Sequence, residues 1–198
     1  MFVNFKHVKS VYASSCIVLC LIFLTPTLAV ILPAPGEEKF SALWLLGPAH
    51  MIEGIPSNVV QGEKYQVFLG VGNQMGELEY YLIRVKMGNQ SDPLPDKLAG
   101  IPSNLAVVYE YRLFLQSNAT WETDFSFVFN DVSFEGNTSR ISTISIDENS
   151  VNLDKIATQN AVENGFHYEL FFELWIYNST ISAFQFHNRF VGFWITLH

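Results

Sequence analysis

Residues 11–32, from Val11 to Leu32, contain no charged side chain, and no other feature restricts the folding of this chain as strongly. As an α-helix rising about 1.5 Å per residue the run reaches about 33 Å, enough to cross a hydrocarbon core of about 30 Å. Lys6 and Lys9 precede it, and Glu37 and Glu38 are the first charges beyond it. That asymmetry assigns the N-terminus to the cytoplasm and everything after Pro33 to the outside. The chain then divides into a cytoplasmic N-terminus (1–10), a single transmembrane helix or uncleaved signal anchor (11–32), a linker (33–39) and an extracytoplasmic β domain (40–198). Pro33-Ala34-Pro35-Gly36 makes a stiff exit, because the residue before a proline avoids the helical region. A cleaved signal peptide competes with this reading: Thr27-Leu28-Ala29 places small residues near a cleavage site, and Pro26 interrupts the helix. Cys16 and Cys20, one turn apart, suit lipidation, helix pairing or simple tolerance of small residues in lipid.

Beyond the linker the apolar period changes to two, the signature of strands. Tyr65, Val67, Leu69 and Val71 alternate with Gln66, Phe68 and Gly70, and Tyr81, Ile83, Val85 and Met87 alternate with Leu82, Arg84 and Lys86. Gly72-Asn73-Gln74-Met75-Gly76 supplies a turn between them. Tyr109, Tyr111, Leu113 and Leu115 share a face opposite Glu110 and Arg112. Gln116-Ser117-Asn118-Ala119-Thr120 reads as a hairpin connection to Trp121, Thr123, Phe125, Phe127 and Phe129. Residues 168–177 and 190–197 read as two more strands. The polar stretch from Asn130 to Asn164 is expected as a long hairpin excursion or a short helix, with only Ile141–Ile146 strand-like. About seven strands without a long amphipathic helix predict a mainly β fold, an immunoglobulin-like antiparallel β-sandwich behind the N-terminal helix. The aromatic residues, 15% of the chain, fall at spacing two and belong to its core.

The charge balance narrows the partners. Lys and Arg number 11 against 19 Asp and Glu, a net charge of −8, and the basic residues form no cluster. A phosphate backbone would be repelled, so nucleic acid is excluded. Both cysteines lie in the apolar run, which leaves the β domain no thiol for a disulfide or zinc site.

The stretches Pro35-Gly36-Glu37-Glu38-Lys39-Phe40, Leu46-Gly47-Pro48, Glu53-Gly54-Ile55-Pro56-Ser57-Asn58, Gln61-Gly62-Glu63 and Gly70-Val71-Gly72-Asn73 resemble the extracytoplasmic segment of the archaeal domain-of-unknown-function family 1616. Phe172-Glu173-Leu174-Trp175-Ile176-Tyr177 and His187-Asn188-Arg189-Phe190-Val191-Gly192 are similar to its C-terminal strands. The resemblance runs from the anchor to the end of the chain. It implies a membrane protein with an exposed β domain and brings no activity, cofactor or site residue with it. One membrane helix stands here where several often precede the β domain.

Catalytic patterns are missing. There is no G-x-S-x-G elbow and no phosphate-binding glycine loop. His50, His167, His187 and His198 never fall at metal-ligand spacing and read as single surface or edge histidines. Asp147-Glu148-Asn149-Ser150-Val151-Asn152-Leu153-Asp154 invites calcium but lacks the central glycine and final glutamate of an EF-hand loop, so a solvated acidic loop is expected. Glu169 and Glu173 share one strand face with Phe171, Trp175 and Tyr177, expected to be exposed. About 13 Å of extended chain separates the two carboxylates, more than the roughly 5–9.5 Å of a glycosidase pair. Four sequons, at Asn89, Asn118, Asn137 and Asn178, fall at turns or strand ends and are candidate N-glycosylation sites. The expected protein is thus a single-pass, membrane-anchored envelope protein. Its outer domain is a non-catalytic binding or structural module for an envelope protein or glycan, without metal or cofactor. The alternative is an envelope hydrolase using surface carboxylates.

Overall fold

In a computed structural model of the protein, residues 5–31, 38–159 and 165–197 are described, and within the N-terminal helix the side chains of 9–23. The chain forms two compact units, Met1–Glu38 and Lys39–His198. The first contains α1 (Phe5–Ile31). Among the described residues no helix is long and apolar enough to cross a membrane, and they lend the transmembrane span expected over 11–32 no support. The side chains described, 9–23, cover only about 22 Å at about 1.5 Å per residue, against a bilayer core of about 30 Å. Cys16 and Cys20 are exposed thiols. The exit at Pro33–Gly36 lies outside the described residues.

The second unit is mainly β, in two five-stranded sheets. The first sheet orders its strands β1 (Phe40–Leu46), β3 (Tyr65–Gln74), β6 (Thr120–Glu135), β7 (Thr138–Ile146) and β8 (Asn149–Thr158). The second orders β2 (Asn58–Val59), β10 (Ala183–Leu197), β9 (Phe166–Asn178), β4 (Glu79–Asn89) and β5 (Val107–Leu115). All pairings are antiparallel except the short β2, which runs parallel to β10.

Alternation explains the core. Val67, Leu69 and Val71 of β3, Phe125, Phe127 and Phe129 of β6, and Ile141, Ile144 and Ile146 of β7 meet Tyr81, Ile83, Val85 and Met87 of β4 and Tyr168, Leu170, Phe172 and Leu174 of β9. Phe125 meets Phe172 edge-on across the gap, ring centroids 4.8 Å apart at 85°, a favoured aromatic geometry. Each such side chain contributes about 1.5–3 kcal/mol by leaving water. Trp121, expected among these rings, is only half-buried and packs against Tyr111.

Three expectations change. Ten strands replace about seven. Gln116–Thr120 is not a hairpin, because β5 and β6 lie in different sheets and the segment crosses between them. Asn118 takes the left-handed region there (φ 61°), which asparagine tolerates better than most residues. The buried Asn73 holds this crossing to the one from β3 to β4. Its amide donates to the carbonyls of Glu77 and Leu115 and accepts from the Met75 N–H. The excursion after Asn130 takes the hairpin form of its two expected ones, but with far more strand than Ile141–Ile146: a pair of hairpins turns at Gly136-Asn137 and Asp147-Glu148, and no helix forms among its described residues. Gly136, Asp147 and Glu148 all have positive φ, as tight hairpin turns require.

Candidate functional site

Strands β5, β4, β9 and β10 lie side by side, and their register turns the outward side chains of the second sheet into rows. One row is Phe114, Tyr80, Tyr177 and Phe184, the next Arg112, Leu82, Trp175 and Phe186, the third Glu110, Arg84, Glu173 and Phe190. Beyond them Lys86 lies beside Phe171, Glu169 between Gly88 and Trp194, and His167 beside Thr196.

An outer face of an antiparallel sheet ordinarily meets water, and the face of β9 was expected to do so. The structure corrects this: Phe171 and Glu173 are 0% exposed and Glu169 is 5% exposed, while Trp175 and Tyr177 reach solvent. The cause is the segment 90–106 between β4 and β5, which folds back over the middle of the face. Lys86 Nζ donates to the Ser103 carbonyl at 2.6 Å, and the Ser103 N–H donates to Glu173 Oε1 at 2.7 Å. Lys97 stands over the Phe190 ring, 4.4 Å from its centroid. Gly88 leaves room for the cover, since a Cβ there would press on Leu105 and Asp92.

Glu173 is fully engaged beneath this cover. Its Oε2 lies 3.0 Å from Lys86 Nζ and accepts the Trp175 indole N–H at 3.0 Å. Desolvating two charges is tolerable only when each is paired and hydrogen-bonded, and both are. A carboxylate with three donors on it is a structural anchor, not a free base. Glu169 is the opposite case. Its Oε2 is buried with no hydrogen-bond partner, and burial raises its carboxyl pKa, since a low-dielectric setting disfavours the charged form. Its cross-strand neighbour Trp194 and its same-face neighbour His167 line a cavity of about 490 Å³ with Ser57, Gln90 and Thr196.

The aromatic end is open. Tyr80 stacks on Phe114 with centroids 4.2 Å apart, and Phe184 meets Tyr80 edge-on at 4.9 Å. A cleft of about 400 Å³ lies there, lined by Glu77, Glu79, Tyr80, Phe114, Tyr177 and Gln185, among others.

The remaining candidates scatter. His50 stacks on Phe68 and pairs with Glu122 on the first sheet. His167 is buried, not at the surface as expected, because it sits on the covered side of β9. His187 bonds Ser41 Oγ at 3.0 Å, and burial followed by the nearby Arg189 lowers its pKa. His198 lies outside the described residues. In the acidic loop Asp147 accepts from the Ser126 N–H and the Tyr111 hydroxyl, and Asp154 pairs with Arg140. These carboxylates have partners within the protein, and no group of three or more metal-ligating side chains occurs among the described residues. Of the sequons, Asn118 and Asn137 are exposed on turns. The Asn89 and Asn178 amides donate to the Ile156 carbonyl and to Gln185 Oε1.

Lys86 and the aromatic row escaped the sequence reading. A signal was present for the row: Phe114 shares its strand parity with Glu110 and Arg112, the outward residues of β5.

Residues 33–152 match the family described as Domain of unknown function (DUF1616). No curated protein matches the sequence. Among solved structures, the β-glucosidase from Listeria innocua in complex with gluconolactone is similar at 9% identity and a TM-score of 0.39, over 80% of this chain and 16% of that one. The Bacteroides uniformis β-glucuronidase is similar at 10% identity and 0.36, over 78% and 13%. The ASH / PapD-like domain of human CEP192 is similar at 9% identity and 0.28, over 84% and 92%. The chain thus spans 16% of the first of these enzymes.

Proposed function

The chain belongs to the family described as Domain of unknown function (DUF1616), and from that premise we propose a membrane-anchored envelope protein whose β unit is a non-catalytic binding module. The observation that carries this reading is the division of the second sheet's outer face. The carboxylate best placed in an extended row, Glu173, is spent on Lys86, Ser103 and Trp175, whereas four aromatic side chains in a row stay at the open end. Aromatic residues gathered on a surface are a hallmark of recognition sites. The uncharged run of 11–32, with lysines before it and glutamates after it, supports an anchor with the β unit outside.

The connectivity supports an immunoglobulin-like reading of the two sheets. With β1, β3, β4, β6, β9 and β10 taken as strands A, B, C, E, F and G, the order A-B-E faces G-F-C, the pairing of that architecture. Here β7 takes the place beside E that strand D holds.

Protease added to intact cells should remove the β unit and spare the N-terminus. A protected β unit would refute the orientation, and a mature N-terminus at Val30 would show a cleaved signal peptide. Binding is tested by capture from detergent-solubilised envelope. A stoichiometric surface partner that is lost on Phe114→Ser and Tyr177→Ser supports the module. Glu169, buried and without a partner on Oε2, favours one rival reading, an envelope hydrolase with Glu169 as general acid. Turnover of an envelope glycan that disappears in Glu169→Gln would establish it instead.

A further inference from the structure

A sheet edge is a row of unpaired main-chain donors and acceptors, and proteins that stay monomeric blunt it or cover it. Three of the four edges here are managed in that way. β1 lies against β10, whose Arg189 side chain donates to the Ser41 carbonyl at 3.2 Å. β8 is interrupted at Asp154, which takes the left-handed region (φ 50°); it shifts register against β7 and gives its Ile156 carbonyl to the Asn89 amide. β2 is only 2 residues long.

The fourth edge is open. β5 runs for 9 residues, and among the described residues β4 is its one strand neighbour. Its ladder with β4 is regular from Tyr109 to Leu115, and its irregularity is confined to the Val107–Val108 end. On the side away from β4, no main-chain group from Val107 to Phe114 has a hydrogen-bond partner among the described residues. No proline, glycine or lysine stands in the strand to discourage pairing. Phe114 is 67% exposed, and Tyr109 and Tyr111 on the inner side are only half-buried.

The strand is also complementary to its own reversal. Two antiparallel copies that keep their inner faces on the same side are related by a two-fold axis through a residue, because a one-residue slip would turn every side chain over. Centred on Tyr111, the middle of the strand, all 9 residues overlap and Glu110 of each copy stands opposite Arg112 of the other. A centre at Glu110 or Arg112 sets like charge against like, and a centre at Tyr109 or Leu113 shortens the overlap to Val107–Tyr111 or Tyr111–Leu115. Glu110 already accepts from Arg84 and Arg112 of its own chain. A carboxylate has about four acceptor positions and a guanidinium five N–H donors, so both groups retain capacity for a second copy. In such a pairing the main-chain bonds give affinity and the side chains give register.

We propose that β5 pairs antiparallel with β5 of a second copy about a two-fold axis at Tyr111, joining the two second sheets into one continuous sheet. The interface is isologous and closes on itself, so assembly stops at the dimer. The axis stands perpendicular to the sheet, and both outer faces therefore look the same way. The dimer presents two aromatic rows to one surface, whatever those rows bind.

The test uses the full chain in whole expressing cells, with Cys16→Ser and Cys20→Ser so that only introduced thiols react. Glu110→Cys is co-expressed with Arg112→Cys and a mild oxidant is added. In the proposed register the two thiols face each other while the remaining Arg112 and Glu110 still pair, so a disulfide-linked dimer should form. Either variant alone places its two thiols on a cross-strand diagonal of about 7–8 Å, at the limit of what a disulfide spans, and should cross-link about tenfold less. Arg112→Glu added to the Glu110→Cys chain sets two glutamates opposite each other and should lower the yield about fivefold. Glu110→Arg added to the other chain should restore it, which a merely misfolded variant would not do. The absence of a linked dimer, equal linking by either variant alone, or a yield indifferent to the charge reversals overturns the proposal.

Discussion

On the first sheet, the outward side of β6 carries Glu122, Asp124 and Ser126, and the neighbouring Gly70 and Gly72 of β3 lie under the indole of Trp44, whose N–H reaches Glu122. On the second, the outward side of β9 carries Glu169, Phe171 and Glu173 and lies under a whole segment of chain. The difference teaches how an outer face acquires a character its own strand does not dictate. A cover of two side chains, Trp44 and His50, leaves the rest of the face wet, so Glu122 and Asp124 remain at the surface. A cover of many residues makes a second dry layer, and the charges beneath it must then be paired.

Substitutions can break or sharpen that contrast, measured by urea denaturation of the full chain. Phe127→Ala, in the core common to both sheets, sets the upper mark with a loss of about 3–5 kcal/mol. Glu173→Ala should cost nearly as much, about 3–5 kcal/mol, because it leaves the Lys86 ammonium buried without a counter-charge. Replacing both, Lys86→Met with Glu173→Leu, should recover much of that loss. A Glu173→Ala protein as stable as its parent would mean that the cover is not closed in solution. Glu122→Ala, its counterpart on the first sheet, should cost only about 0.5 kcal/mol.

A subtler contrast lies in pH. The folded-state pKa of Glu169 is raised by burial, so the folded chain holds its proton more tightly than the unfolded chain. Its contribution to stability is complete below the unfolded value of about 4.3 and is lost as pH rises through the folded value. Glu169→Gln should remove that part of the pH dependence. An unchanged slope above the unfolded value would show that the carboxyl finds water or a donor.

The inner faces were legible in the sequence because alternation is a local signal: Val67, Leu69 and Val71, or Phe125, Phe127 and Phe129, declare their side two residues at a time. Strand β1 was not legible, since Phe40–Leu46 is apolar at nearly every position and its burial shows no clean period. The β7–β8 hairpin was obscured by polar residues on its solvent side. The sealing of Glu173 depends on Ser103, 70 positions away in the chain, and no local pattern announces such a meeting. The aromatic row needs four strands brought into register before Phe114, Tyr80, Tyr177 and Phe184 become neighbours, although each is visible alone.

The Ser103 amide gives the cover a clock. Ser103 lies in a connecting segment outside any strand, where protons ordinarily exchange with water almost as fast as in an unfolded chain. Yet this proton is donated to a carboxylate with no exposure at all. It can leave only when the segment lifts and the Lys86–Glu173 pair meets solvent. A single loop amide, exchanging on the timescale of the strands beneath it, would therefore time every opening of that face.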